Sequence, residues 1–90
     1  MKPVEFDRHF IKSYQKRIRG NRKLQEQFQS RLDSFAAGQR GAPLHDHSLK
    51  GGLAGYRSFS ITGDIRVIYY ETEDAYVCTD IGTHVQVYGE

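Results

Sequence analysis

A chain of 90 residues, 38% hydrophobic and 27% charged, has the length and balance of one small folded domain rather than of a disordered segment. No run approaches the roughly 18 apolar residues of a membrane span, and Met1-Lys2-Pro3-Val4-Glu5-Phe6-Asp7 lacks the apolar core of a signal peptide, so the expected setting is the cytoplasm. The single cysteine, Cys78, excludes an internal disulfide and a cysteine-rich zinc site, and the size argues against enzymes built around a large bound cofactor; none is expected.

The formal charge of +2 hides a split. Residues 1–40 carry ten Lys or Arg against four acids, whereas residues 41–90 carry three against seven. A basic half suits a polyanionic partner, because cations that neutralise phosphates release condensed counterions; it is equally the solvated face of a helix.

In chain order, Lys2 to Phe6 is short and mixed and reads as an edge strand. Asp7 reads as a helix N-cap, Phe10, Ile11, Tyr14 and Ile18 recur at helical spacing, and Gly20 closes the segment. Asn21 caps a second helix, whose stripe is Leu24, Phe28, Leu32 and Phe35, ended by Gly38. Lys12, Lys16, Arg17, Arg19, Arg22, Lys23 and Arg31 fall on the opposite faces of this hairpin. Residues 38–55, rich in glycine and holding Pro43, read as loop. From Tyr56 the period becomes two. Tyr56, Ser58, Ser60 and Thr62 alternate with Arg57, Phe59 and Ile61, and Thr62-Gly63-Asp64 marks a turn. Ile65 to Tyr70 and Ala75 to Ile81 are strands separated by an acidic turn, and Val85 to Tyr88 reads as a last short strand. The pattern predicts a single α+β domain, residues 1–90: a small antiparallel sheet with an N-terminal helical hairpin packed on one face.

The residues able to do chemistry lie in the second half. His45 and His47 sit in the Gly-rich loop, Asp64 and Arg66 flank a tight turn, and His84 and Tyr88 are near the end. A meander can bring these regions to one sheet face. Histidines, a carboxylate and an arginine suit proton transfer at a phosphodiester: His exchanges a proton near neutral pH, and Arg holds the charge of a pentavalent phosphorus. A 2′-hydroxyl of RNA would be the nucleophile. Each residue also has a plain reading: loop polars for His45 and His47, a turn former for Asp64, a solvated strand residue for Arg66, sheet packing for Tyr88. A metal held by His45, His47, Asp64 and His84 lacks any fixed ligand spacing.

The ordered set Leu44-His45-Asp46-His47-Ser48-Leu49-Lys50-Gly51, Gly55-Tyr56-Arg57, Gly63-Asp64-Ile65-Arg66-Val67-Ile68-Tyr69, Gly82-Thr83-His84 and Tyr88-Gly89 resembles the RelE superfamily of bacterial toxins, and within it the YafQ-like branch. The likeness runs over essentially the whole chain. It implies a small α+β fold and metal-independent endoribonuclease activity on mRNA in the ribosomal A site. Attack by the 2′-hydroxyl would leave a cyclic or 3′-phosphate and a 5′-hydroxyl. It also implies a cognate antitoxin as partner, with operator DNA bound through the antitoxin complex as a further candidate, and no membrane. Carried over by position, His84 is the candidate general acid, His47 and Asp64 the candidate bases or orienting groups, and Arg66 the phosphate-binding cation. Tyr88 is a base-stacking aromatic. Lys50, Arg57 and His45 complete the expected substrate-binding set. Two positions depart from the branch: Ser60 stands where a second His is usual, and Ile65 where Trp is common. The competing readings are a non-catalytic toxin of the same fold, like the gyrase inhibitors, and an RNA-binding module that docks through its basic helices.

Overall fold

Short polar side chains start each helix. In the computed structural model, which describes residues 2–89, α1 (Arg8–Arg17) begins where the Asp7 carboxylate accepts from the Phe10 N–H at 2.8 Å. Asn21 does the same for Leu24 at 3.1 Å at the head of α2 (Arg22–Ala36). The strands are β1 (Val4–Phe6), β2 (His47–Ser48), β3 (Arg57–Ser60), β4 (Ile65–Glu71) and β5 (Tyr76–Thr83), followed by α3 (His84–Tyr88). The sheet order is β1-β5-β4-β3-β2. Strands β2 to β5 form the antiparallel meander expected from the period-two segments. At the other edge β1 lies parallel to β5, so the sheet is mixed. The helical hairpin carries the chain across the sheet, and three reversals then bring β5 back beside β1 in the same direction. No helix among the described residues is long and apolar enough to cross a membrane.

The core lies between the helical hairpin and one sheet face. Phe35 stacks on Phe59 with ring centroids 4.5 Å apart and meets Tyr69 edge-on at 4.8 Å. Phe10, Phe28 and Tyr14 form a second aromatic group under α1. The α1 stripe differs from the sequence expectation in that Ile11 is 46% exposed while Ser13 is buried. Arg17 also leaves the basic face. It pairs with Asp80 at 3.2 Å and donates to the Ile81 carbonyl at 3.0 Å, tying the end of α1 to β5.

Strand β5 contains a bulge. Ile68 pairs with Asp80 and Tyr69 with Cys78, leaving Thr79 as the extra residue. This lets Cys78 and Ile81, three apart, both face the core, where strict alternation would have sent one outward.

The C-terminal segment corrects the sequence reading. Val85 to Tyr88 is helical, not a strand. Thr83 accepts from the Gln86 N–H at 3.3 Å while the Gln86 side chain accepts from the Thr83 N–H at 2.8 Å, and Gly89 ends the helix at φ 75°. The β-branched Val85 and Val87 suggested a strand, but a complete capping box overrides two β-branched residues. The predicted loop 38–55 likewise contains β2 and a 3-10 turn at Gly51–Leu53.

Burial pushes the Cys78 thiol up to about 12 from an ordinary 9.0. The unfolded chain then loses this proton first as pH rises, so the stability contribution is whole below about pH 9 and is lost toward pH 12. Urea unfolding at pH 8 and pH 10 is expected to show wild type losing up to about 1.4 kcal/mol more than Cys78→Val between the two; equal losses would show that the thiol is not held protonated.

Candidate active site

The sheet face opposite the core is built from the other half of the strand alternation. Ser60 pairs with Arg66, and Arg66 with Gly82, across β3, β4 and β5. At Gly82 a Cβ would come within 2.6 Å of the Gln86 side chain and 2.9 Å of Arg17, so only glycine lets α3 settle this close to the sheet. That approach brings His84 and Tyr88, one helical turn apart, over Arg66. The His84 and Tyr88 rings meet edge-on at 4.4 Å, and the Arg66 guanidinium lies 5.8 Å from the Tyr88 ring centroid.

A cleft of about 350 Å³ opens here, lined by His47, Leu49, Lys50, Gly52, Leu53, Arg66, His84 and Tyr88. It gathers five of the eight sequence-predicted residues. Asp64 stands on the far side of the Arg66–His84 pair, in an adjoining cleft with Gly63, Thr83 and Val85. Among the described residues Arg66 has no carboxylate partner, and its Nε and the Tyr88 hydroxyl are buried with no hydrogen-bond partner. The other cations near the sheet are committed: Arg17 to Asp80, Arg57 to Asp46. Arg66 is therefore the cation in this cleft, beside Lys50, that is poised for an external anion.

His47 Nδ1 lies 2.9 Å from the His45 carbonyl oxygen. A carbonyl only accepts, so Nδ1 carries the proton and Nε2 of the neutral ring presents its lone pair. His45 thus contributes through its backbone. Its side chain lines a separate cleft with Arg31, Pro43 and Ser60, and its φ of 48° is left-handed.

Arg57 also lies outside the cleft. Alternation along β3 puts it on the core side, opposite Tyr69. There it grips Asp46 through Nη2 at 2.6 Å and Nε at 2.8 Å, while the Tyr69 hydroxyl donates to the other carboxylate oxygen. The Asp46 side chain is fully buried. Burial, and then the Asp46 hydrogen bond, hold the Tyr69 hydroxyl protonated well above its ordinary range. Asp46 anchors the loop between His45 and His47; the sequence reading noted this residue but assigned it no role. Its position between two histidines and eleven residues before a strand Arg was the available signal. The Thr83-x-x-Gln86 capping box was the corresponding signal for α3. Among the described residues no three of His, Cys, Asp or Glu converge as a metal site.

This arrangement defines a small α+β domain with a basic, histidine-bearing cleft on the open face of its sheet. A profile for bacterial toxins of type II toxin-antitoxin systems, YafQ, matches residues 2–89, and the chain belongs to that family. No curated protein matches it. Among solved structures, YafQ from Escherichia coli BL21(DE3) superposes with a TM-score of 0.78 at 21% identity, covering 99% of this chain and 100% of that one. YafQ in the E. coli DinJ-YafQ complex gives 0.71 at 24% identity, covering 99% and 100%. The YoeB/ParE toxin from Agrobacterium tumefaciens gives 0.73 at 20%, covering 93% and 99%.

The placement of Arg57 is tested by stability. Removing its guanidinium leaves the buried Asp46 carboxylate with Tyr69 alone. Arg57→Ala is expected to cost roughly 2–3 kcal/mol, below the full value for a buried pair because the Arg57 side chain is 41% exposed. Lys50→Ala, at an exposed site, is expected to stay within about 0.5 kcal/mol. Equal midpoints for the two in urea would return Arg57 to the substrate-binding set.

Proposed function

We propose that this type II toxin is a ribosome-dependent, metal-independent endoribonuclease that cuts mRNA in the A site. The observation that carries the reading is the convergence of His47, Arg66, His84 and Tyr88 on one cleft in which Arg66 lacks an internal carboxylate partner. With a phosphodiester seated on Arg66, His47 Nε2 takes the proton of the 2′-hydroxyl. The 2′-oxygen attacks phosphorus, and the bond to the 5′-oxygen breaks. His84 as imidazolium gives its proton to that leaving oxygen, producing a 2′,3′-cyclic phosphate and a 5′-hydroxyl. Arg66 holds the charge that grows on the non-bridging oxygens, Lys50 adds a point charge, and Tyr88 offers a face for a base. The tautomer set by the His45 carbonyl supports His47 over Asp64 as the base. Asp64, across the Arg66–His84 pair, is assigned an orienting role.

Ser60 beside Arg66 in the register occupies the place of the branch's second histidine, so the reaction proposed here uses two histidines. Ile65 is partly buried against the core and belongs to packing. The non-catalytic reading has no specific observation in its favour.

A cognate antitoxin is the proposed protein partner, on family membership and on the relatives solved with DinJ; operator DNA would be reached through that complex. For the ribosome, the docking surface is the exposed face bearing Lys12, Lys16, Arg19 and Lys23, none of which pairs with a carboxylate among the described residues.

His47→Gln and His84→Gln are each expected to lower cleavage by roughly 10²–10⁴-fold, with Asp64→Asn milder. Arg66→Lys should retain more activity than Arg66→Ala, because a point charge replaces a planar fork. Primer extension on ribosome-bound messages with folded variants measures this, and wild-type rates for His84→Gln would remove it as the acid.

Changing Lys12, Lys16, Arg19 and Lys23 together to Gln is expected to weaken ribosome binding and to flatten its salt dependence by roughly 0.7–0.9 in the log–log slope per lost phosphate contact. Sedimentation with ribosomes at two salt concentrations, beside antitoxin pull-down, checks it. Unchanged sedimentation with lost pull-down would reassign the face to the antitoxin.

A further inference from the structure

We propose that a second cleft, adjoining the first, is a subsite for a nucleobase neighbouring the cut, and that it favours bases with an exocyclic amino group over uracil. The proposal rests on the ribonuclease reading and adds a specificity to it. The two clefts share Gly52 and Leu53 in their walls and so adjoin, and the second has a volume of about 250 Å³. Its apolar lining is Leu53, Ile68 and Val87, and its polar lining includes Tyr56, Asp80 and His9. Flat apolar surface with polar groups at the edge is what a base requires: its faces are apolar and its edges carry donors and acceptors.

Tyr56 supplies the aromatic element, held edge-on against Tyr70 at 5.7 Å. Asp80 supplies the reading group. Its Oδ1 is occupied, accepting from Arg17 at 3.2 Å and from the Ile81 N–H at 2.9 Å. Its Oδ2 accepts no hydrogen bond among the described residues; His9 Nε2 lies 3.6 Å away. The Asp80 side chain is 15% exposed, and its Oδ2 faces the cleft with a lone pair open to a ligand donor. Arg17 offsets the carboxylate charge, which would otherwise repel a phosphate backbone. An acceptor at the exocyclic position pairs with the amino groups of adenine, cytosine and guanine, whereas uracil presents carbonyl oxygens there and only its ring N3–H as a donor. The bulge at Thr79 is what turns Asp80 toward this face.

The test uses the full chain and ribosomes programmed with messages randomised at the nucleotides flanking the cut, with the cut ends sequenced. Wild type is expected to disfavour uracil at one flanking position. Tyr56→Ala should lower cleavage about tenfold, as loss of one base–aromatic stack does. Asp80→Asn keeps an oxygen for Arg17 and turns the other position into a donor, so it should remove or reverse the discrimination against uracil. Thermal unfolding confirms that each variant is folded, and Tyr56→Leu replaces Tyr56→Ala if the latter is not. Cleavage by all variants with the wild-type flanking preference overturns the subsite while leaving the ribonuclease reading intact. Absence of cleavage by wild type on every message overturns that reading, and the subsite with it.

Discussion

The Asp46 carboxylate, fully buried and held by Arg57 and Tyr69, is the constraint on which the site depends. A buried charge is costly unless it is paired and its lone pairs are met, so its burial fixes the loop to β3 and β4 at one point. One residue to either side of that point are the His45 carbonyl, which sets the His47 tautomer, and His47 itself. A loop without an anchored centre would leave the His47 ring free to wander. The polar network lies on the core side of the sheet, and its effect is felt on the other side.

That division of labour between faces recurs through the fold. Alternation along β3 and β4 sends Phe59, Val67 and Tyr69 into the core and leaves Ser60 and Arg66 on the open face. The bulge in β5 resets the alternation, so that Ile81 rejoins the core and Asp80 and Gly82 turn outward. Gly82 then admits α3, which carries His84 and Tyr88. The cleft is thus assembled from a loop, a strand and a helix whose only common reference is the sheet.

Charge follows the same logic. The excess of cations in the first 40 residues is partly absorbed: Arg17 is spent on Asp80 and Arg40 lies over the Phe35 ring at 3.9 Å. What remains on the surface of the hairpin is a smaller group without carboxylate partners among the described residues, separate from the partly buried Arg66 in the cleft. Under the proposed function, sequence-independent affinity and phosphate chemistry fall to different elements, as backbone contact and readout commonly do in nucleic-acid recognition.

By itself the sequence determined the fold class, the helical hairpin with its caps at Asp7 and Asn21, the central strands, and the family. These rest on local periodicity, capping and an ordered motif set, which are properties of neighbours in the chain. His47, Arg66, His84 and Tyr88 were legible as a set for the same reason. The tertiary structure alone decided which cations are free, because Arg57 and Arg66 look alike until the strand register assigns them to opposite faces. It decided that the His45 carbonyl meets His47 Nδ1, and that Asp46 lies buried beneath the loop. It also decided the parallel pairing of β1 with β5 and the bulge at Thr79, since pairing partners distant in sequence leave no local signal. At the C-terminus the capping box was readable, but the packing of α3 on Gly82 placed His84 over Arg66, and no local pattern contains that distance.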